Sequence, residues 1–167
     1  EFSKNFFREM NKWVSPRIEG YEEVRFLINN DSKNNTLSYN VLDIEVEIDF
    51  TSNALASILY KQGDTVVLAC ATKEARLPSW FPRDASKGWV NSEYSLLPGS
   101  TNSRFRRERR GPKGRTAEIE RMVARSLRGA IDLYQLGPIA LNVDCDILNA
   151  DGGTRCASVT AAAMAMR

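Results

Sequence analysis

The sequence predicts an α/β fold, an α+β sandwich in which a mixed β-sheet is backed by helices. Two observations carry this prediction. Segments 41–50 and 139–148 alternate apolar and polar residues, the pattern of half-buried strands, and segment 117–136 repeats apolar residues at helical spacing. With 167 residues, 43% of them hydrophobic and 26% charged, the chain has the size and composition of one globular domain with a buried core.

The first forty residues differ in composition from the rest of the chain. Apolar residues in segment 1–14 recur at roughly helical spacing and predict a short amphipathic helix, which Pro16 ends. Segment 27–40 is rich in asparagine and predicts a loop or an insertion. We therefore divide the chain into an atypical N-terminal extension, 1–40, and a domain over 41–167.

Strands and a loop open the predicted domain. In segment 41–50 the apolar residues face the core and the acidic ones face water, and segment 54–72 predicts a hairpin around "KQGDT". Segment 76–103 contains three prolines and predicts a long irregular stretch, of the kind that in compact domains is usually functional or mobile. The apolar face of the first strand is formed by Leu42, Ile44, Val46, Ile48 and Phe50.

A helix, a strand and a second helix complete the predicted order. Thr116 is placed to cap a helix over 117–136, and Gly137–Pro138 ends that helix. A strand over 139–148, a glycine turn and an alanine-rich helix follow. The apolar face of the long helix is formed by Ile119, Met122, Val123, Leu127, Ala130, Ile131 and Tyr134.

Charge is concentrated in one segment of a chain whose net charge is only +2. Segment 104–128 contains ten Lys or Arg and three Glu, and its first part reads "RFRRERRGPKGR". A solvated surface would explain such a run, but the clustering of arginines favours binding of a polyanion, with nucleic acid the obvious class. The chain has no His, and its three cysteines lack metal-type spacing, so we expect no zinc site and an intracellular, reducing environment.

The stretch "NADGGTRCAS" has the chemistry of an anion site. Gly153, Thr154 and Arg155 open a predicted helix, and Arg115 directly precedes the predicted cap of the other. A helix N-terminus presents unpaired amides and a partial positive charge, and an arginine adds a bidentate fork for phosphate. The alternative is a plain strand-to-helix turn that leaves Arg155 in solvent. Neither the Walker nor the dinucleotide-binding glycine pattern is present.

Other candidate residues have simple structural explanations. Asp144 and Asp146 could act as metal ligands or acid–base groups, but they also fit the polar face of a strand. Trp89 and Tyr94 could stack on bases, but packing of the long irregular segment onto the core explains them better.

Two motifs resemble one known family. "GRTAEIERMVARSLR", residues 114–128, and "DCDILNADGGTR", residues 144–155, are similar to motifs of the bacterial ribonuclease PH family, in the family's order and spacing. The likeness runs from about Ala54 to the last residue and is dense from Gly88 onward. It implies a β-α-β-α core like the second domain of the fifth protein of the small ribosomal subunit, of which this chain carries the N-terminal portion.

The resemblance implies a phosphorolytic 3′→5′ exoribonuclease and tRNA nucleotidyltransferase. Such an enzyme uses inorganic phosphate to remove nucleotides from the 3′ end of tRNA precursors and other RNA, with a role in rRNA processing as well. Carried over residue by residue, phosphate binds at Arg115, Gly153, Thr154 and Arg155. RNA contacts fall on the arginine-rich residues 104–113, which we call the basic segment, at Arg104, Arg106, Arg107, Arg109 and Arg110.

The resemblance also implies assembly, a metal and a location. The family forms a homohexameric ring, a trimer of dimers, in the cytoplasm, with an organellar location also compatible and no membrane contact. Its Mg²⁺ carboxylates lie in a second half beyond Arg167, so we expect no metal ligand in this chain. Alternatives are a non-catalytic RNA-binding ring subunit, an inactive truncated member of the fold, or a small-molecule phosphotransferase, against which the basic segment argues.

Overall fold

One mixed sheet backed by helices makes up the part of the chain that the computed structural model describes, residues 43–74, 76–82 and 86–167. The strand order is β1-β2-β3-β5-β4; β4 and β5 are parallel, and the other neighbours are antiparallel. The elements are β1 (Ile44–Ile48), β2 (Ala56–Gln62), β3 (Thr65–Glu74), β4 (Trp89–Leu96), α1 (Gly114–Ala130), α2 (Leu133–Leu136), β5 (Ala140–Asn149) and α3 (Thr154–Ala165). The predicted α/β sandwich is therefore confirmed.

The core lies between one face of the sheet and helices α1 and α3. Helix α1 packs mainly on β4, and α3 packs on β2 and β3. Alternate residues of β3 and β5 point into this layer, as the period of two requires. The largest fully buried side chains are Ile119, Leu127, Ile147, Val67, Val90, Val123 and Val143.

The predicted hairpin and second helix are confirmed. Strands β2 and β3 pair antiparallel around Gly63, whose positive φ of 57° suits a tight turn. Strand β5 runs into the glycine turn, and α3 follows directly. The predictions of a helix in 1–14 and a loop in 27–40 lie outside the described residues.

The single helix predicted over 117–136 is wrong in both its start and its continuity. Helix α1 begins at Gly114, where the main-chain carbonyl of Lys113 accepts from Ala117 N at 2.9 Å, so Thr116 lies inside the helix and is not its cap. The helix ends at Ala130, because Asp132 caps the separate short α2 by accepting from Tyr134 N at 2.9 Å. Tyr134 is 67% exposed and does not belong to the apolar face.

The first strand is also less buried than its alternation predicts. Val46 and Ile48 pair with Tyr60 and Ile58 of β2, so they lie on the helix side of the sheet. Ile48 is nevertheless 70% exposed, because β1 is the edge strand and lies beyond α3. The prediction of an irregular stretch over 76–103 is wrong for residues 89–96, which form strand β4. The alternating pattern of this strand is short and lies between Gly88 and Pro98–Gly99, so the turn residues around it concealed it.

No helix within the described ranges combines the length and apolar character that crossing a membrane requires. The residues from Ile44 to Met166 form a compact unit by themselves.

Candidate functional site

The glycine turn after β5 owes its shape to two consecutive left-handed residues. Gly152 has a φ of 94° and Gly153 a φ of 63°, values that a residue with a side chain adopts only with strain. Gly153 occupies the N-cap of α3, and its carbonyl accepts from Ala157 N at 3.0 Å. No side chain caps this helix, so the amides of its first turn remain available to an anion.

Thr65, at the start of β3, anchors this turn. Its hydroxyl donates to the carbonyl of Gly152 at 2.7 Å and accepts from Asp151 N at 3.1 Å. Thr65 is only 3% exposed, so the hydroxyl is held in place by the surrounding structure. One side chain therefore fixes two main-chain groups of the turn.

Thr154, the first residue of α3, faces the core. It is 7% exposed, and its hydroxyl shares a hydrogen bond of 2.9 Å with the phenol of Tyr94. The pKa of Tyr94 is raised, because the effect of burial outweighs the opposing effect of the hydrogen bond to Thr154. Thr154 can therefore offer a ligand its main-chain N–H, while its side chain ties the helix start to β4.

The two predicted arginines lie at the same end of the fold. The positive charges of Arg115 and of Arg155 each oppose the raised pKa of the Tyr94 phenol. Both guanidinium groups therefore lie within electrostatic reach of that phenol. Arg115 is exposed in the first turn of α1. The first turns of α1 and α3 are thus brought together on one side of β4.

Glu118 joins these two helix starts. Its carboxylate oxygens accept from Nη1 and Nη2 of Arg155 at 3.0 and 3.1 Å, in a bidentate pair. The two side chains remain 42% and 52% exposed, so the pair is accessible to solvent and to an incoming anion. Only two of the five N–H donors of Arg155 are used by Glu118.

The basic segment, residues 104–113, runs from near the glycine turn to the start of α1. Ala150 N donates to the carbonyl of Ser100 at 2.7 Å, and Phe105 N donates to the carbonyl of Pro98 at 3.0 Å. These bonds attach the beginning of the segment to the turn that follows β5. The predicted RNA-binding arginines are all exposed: Arg104, Arg106, Arg107, Arg109 and Arg110.

A row of carboxylates lies on the sheet face opposite the helices. Burial raises the pKa of Asp144, and the neighbouring charges of Glu93 and Asp146 raise it further. Burial also raises the pKa of Asp146, while Arg107 lowers it, which places the basic segment near this row. The described residues contain no group of three potential ligands that could hold a metal ion.

Sequence reasoning missed Thr65, Tyr94 and Glu118 as parts of this site. Glu118 lies three residues after Arg115, about one helical turn away, so the spacing indicates that the two side chains are neighbours on one face of the helix. Thr65 carried none, because it contacts the turn from 87 residues away. Tyr94 was weighed as a stacking or packing residue, and its buried contact with Thr154 agrees with packing.

A model of the 3′ exoribonuclease family, domain 1 (RNase PH), matches residues 41–167. A ribonuclease PH of Rhodopirellula baltica is 48% identical over 124 residues, which cover 74% of this chain and 50% of the relative. A ribonuclease PH of Roseobacter denitrificans is 49% identical over 126 residues and is covered to 53%. The chain therefore spans about half the length of these relatives.

Solved structures are similar as well. An archaeal exosome from Archaeoglobus fulgidus, with RNA bound to its active site, has a TM-score of 0.63 and 27% identity over 77% of this chain and 53% of that one. Rice Rrp46 has the same TM-score at 17% identity, over 76% of this chain and 56% of that one, and shows likeness of fold alone.

Proposed function

Because the chain belongs to the 3′ exoribonuclease family of ribonuclease PH type, we propose that it acts in a phosphorolytic 3′→5′ exoribonuclease. Such an enzyme shortens tRNA precursors and other RNA, including rRNA, and releases nucleoside diphosphates. The observation that carries the proposal is the proximity of two arginine-bearing helix starts, at Arg115 and Arg155, beside the uncapped first turn of α3.

Inorganic phosphate is the proposed nucleophile, held at this pair of helix starts. The unused donors of Arg155 and the guanidinium of Arg115 neutralise its charge, and the amides of Gly153 and Thr154 orient its oxygens. Glu118 holds the Arg155 guanidinium in position through its bidentate pair. Binding and orientation are the main contributions that a phosphorolytic reaction needs from protein side chains.

The bond changes are simple. A phosphate oxygen attacks the phosphorus of the last phosphodiester, and the bond from that phosphorus to the 3′ oxygen of the preceding nucleotide breaks. The attacking hydrogen phosphate becomes the β-phosphate of the released diphosphate, and the proton that it loses passes to the departing 3′ oxygen, which becomes the new 3′ hydroxyl of the shortened RNA. Mg²⁺ is expected of the family, but the described residues contain no group of three potential ligands fit to hold it.

RNA would reach this site along the basic segment. Its exposed arginines suit the phosphates of a single strand, and its attachment near the glycine turn would bring a strand end to the phosphate. By the same family argument we propose a ring of six copies in the cytoplasm. A non-catalytic RNA-binding ring subunit is the second candidate, since the likeness to an archaeal exosome chain fits RNA binding and ring assembly as well as catalysis.

Labelled orthophosphate tests the reaction directly. The protein, incubated with single-stranded RNA and ³²P-orthophosphate, should release nucleoside diphosphate that carries the label in its β-phosphate. Arg155→Ala should abolish this release, whereas Arg125→Ala, a change of an exposed arginine elsewhere on α1, should leave it unchanged. Release of unlabelled monophosphate, or no label in the diphosphate, would contradict the proposal.

Salt dependence tests the RNA contact separately. If about five arginines neutralise phosphates of a single strand, log affinity should fall with log salt at a slope of about −3.5. A flat response would exclude RNA binding through the basic segment and would favour the small-molecule alternative.

A further inference from the structure

A cavity of about 400 Å³ lies along the outer edge of β4, apart from the two helix starts. Strand β4 is the last strand of the sheet, and residues of α1 also line the cavity. Pro112, at the end of the basic segment, lies at its border. We call this cavity the edge cleft; its principal lining residues are Trp80, Trp89, Ser92, Glu120, Arg121 and Arg128.

Aromatic rings form one wall of the edge cleft. The Trp80 and Trp89 rings meet edge to face with centroids 5.1 Å apart, and Phe81, which is buried, supports Trp80 at 5.5 Å. The guanidinium of Arg128 lies 4.3 Å from the centre of the Trp89 ring. Trp80 is 66% exposed, so a large ring held by its neighbours still presents surface to a ligand.

The main-chain N–H and C=O groups of successive β4 residues point alternately toward β5 and away from the sheet. Trp89 N and Leu97 N donate to carbonyls of Ile139 and Ile147, on the β5 side. Because both main-chain groups of a residue in a parallel strand point to the same side, the odd-numbered residues face β5 and the even-numbered ones face outward. Residues 90, 92 and 94 therefore direct their N–H and C=O groups away from the sheet.

Side chains of α1 cap two of these three outward positions. Arg128 Nη1 donates to the carbonyl of Val90 at 2.7 Å, and Glu120 Oε1 accepts from Tyr94 N at 3.4 Å. The outward N–H and C=O of Ser92 lie between them, and neither takes part in a hydrogen bond within the described residues. The lining of the edge cleft thus includes both Ser92, whose outward main chain offers an adjacent donor and acceptor although the residue is only 3% exposed, and the exposed ring of Trp80.

We propose that the edge cleft binds one nucleotide of an RNA strand, with the base stacked on Trp80 and its edge paired with the main chain of Ser92. A base has the flat face and the adjacent donor and acceptor that this arrangement matches, and Arg121 lies within the lining to contact a phosphate. The inference rests on the proposed action on RNA, and it adds a contact outside the phosphate site.

An extended peptide fits the edge cleft less well. A strand added to β4 would pair with its outward main-chain groups in succession. Arg128 and Glu120 already occupy the groups on either side of Ser92, so such a strand could pair only by displacing both. One isolated donor–acceptor pair suits a single planar group better than it suits a chain.

Binding of a labelled oligonucleotide tests the inference. In fluorescence anisotropy with a fluorescein-labelled decamer of adenylate, Trp80→Ala should weaken binding about tenfold or more, and Trp80→Phe should retain most of the affinity. Tyr134→Ala is the matched control, because Tyr134 is equally exposed at 67% but lies outside the edge cleft, and it should bind as wild type does. Binding by Trp80→Ala within twofold of wild type would overturn the inference.

A second pair of variants guards against misfolding of Trp80→Ala. Arg121 and Arg125 are both exposed on α1, but only Arg121 lines the edge cleft. Arg121→Gln should weaken decamer binding more than Arg125→Gln does, and equal effects would count against the inference. If Trp80→Ala changes the oligomeric mass in sedimentation while decamer binding persists, the edge cleft binds a protein chain and the inference is wrong.

The two proposals can fail separately. If wild type releases labelled diphosphate and Arg155→Ala does not, while Trp80→Ala binds the decamer normally, the proposed function stands and the edge cleft is not an RNA site. If Trp80→Ala loses decamer binding while wild type releases no labelled diphosphate, the edge cleft binds RNA and the phosphorolytic proposal fails.

Discussion

Replacing Thr65 by valine removes the anchor of the glycine turn while keeping the shape of the side chain. The hydroxyl makes two hydrogen bonds, to the carbonyl of Gly152 and from the N–H of Asp151. Valine is also β-branched and suits a strand, so the substitution leaves the strand propensity of β3 unchanged. What it removes is the connection between β3 and the turn that precedes α3.

The expected loss follows from those two bonds. A typical intramolecular hydrogen bond contributes about 0.5–1.5 kcal/mol net, so Thr65→Val should lower the free energy of unfolding by about 1–3 kcal/mol. Because the turn positions Gly153 and the start of α3, phosphate affinity should fall as well. Urea unfolding measures the first effect, and isothermal titration with inorganic phosphate measures the second.

Two controls separate the anchor from a general effect on β3. Thr65→Ser keeps the hydroxyl and should recover most of the stability and phosphate affinity. Thr72→Val removes a hydroxyl from the same strand, where it donates to the carbonyl of Asn142 at 3.3 Å, and should leave phosphate affinity unchanged. Thr65→Val with stability within about 0.5 kcal/mol of wild type and unchanged phosphate affinity would refute the assigned role.

Two further substitutions test the fold. Gly88→Ala should destabilise the protein by about 1–3 kcal/mol in urea unfolding, because a Cβ there would lie 2.5 Å from the carbonyl oxygen of Gly137. Gly99→Ala is the control and should have little effect, because a Cβ at that position meets open space. Equal stability of the two variants would contradict this prediction. Burial, reinforced by neighbouring carboxylates, raises the folded-state pKa of Asp144 above its ordinary value of 3.8, so its favourable contribution is present below about pH 4 and is lost as pH rises through the folded pKa. Asp144→Asn should therefore gain stability relative to wild type between pH 4 and pH 7, and an equal difference in urea midpoint at both pH values would refute this.

The strands and helices of the fold were predictable where local pattern and burial agree. Strand β5 and the β2–β3 hairpin alternate and are buried on one face, and Gly152 and Gly153 mark a turn that only glycine adopts easily. Strand β1 alternates equally well, yet Ile48 is exposed. Alternation predicts which side chains share a face, but whether that face is covered depends on how far α3 extends across the sheet.

The candidate site was predictable only as far as its motifs are local. Arg115 and Arg155 each stand at a recognisable helix start, and the structure brings those starts together. Thr65 and Tyr94 act through partners 87 and 60 residues away, a distance at which spacing carries no signal. The same is true of the edge cleft, which brings Trp80 next to α1 through tertiary packing.

Calorimetric titration of phosphate tests the central claim most directly, namely that Arg115 and Arg155 hold the same phosphate ion. We predict one phosphate bound per chain, with Arg115→Ala and Arg155→Ala each weakening binding about tenfold or more, as the loss of a hydrogen bond to a charged group implies. Two phosphates per chain, or full affinity in either variant, would contradict the account.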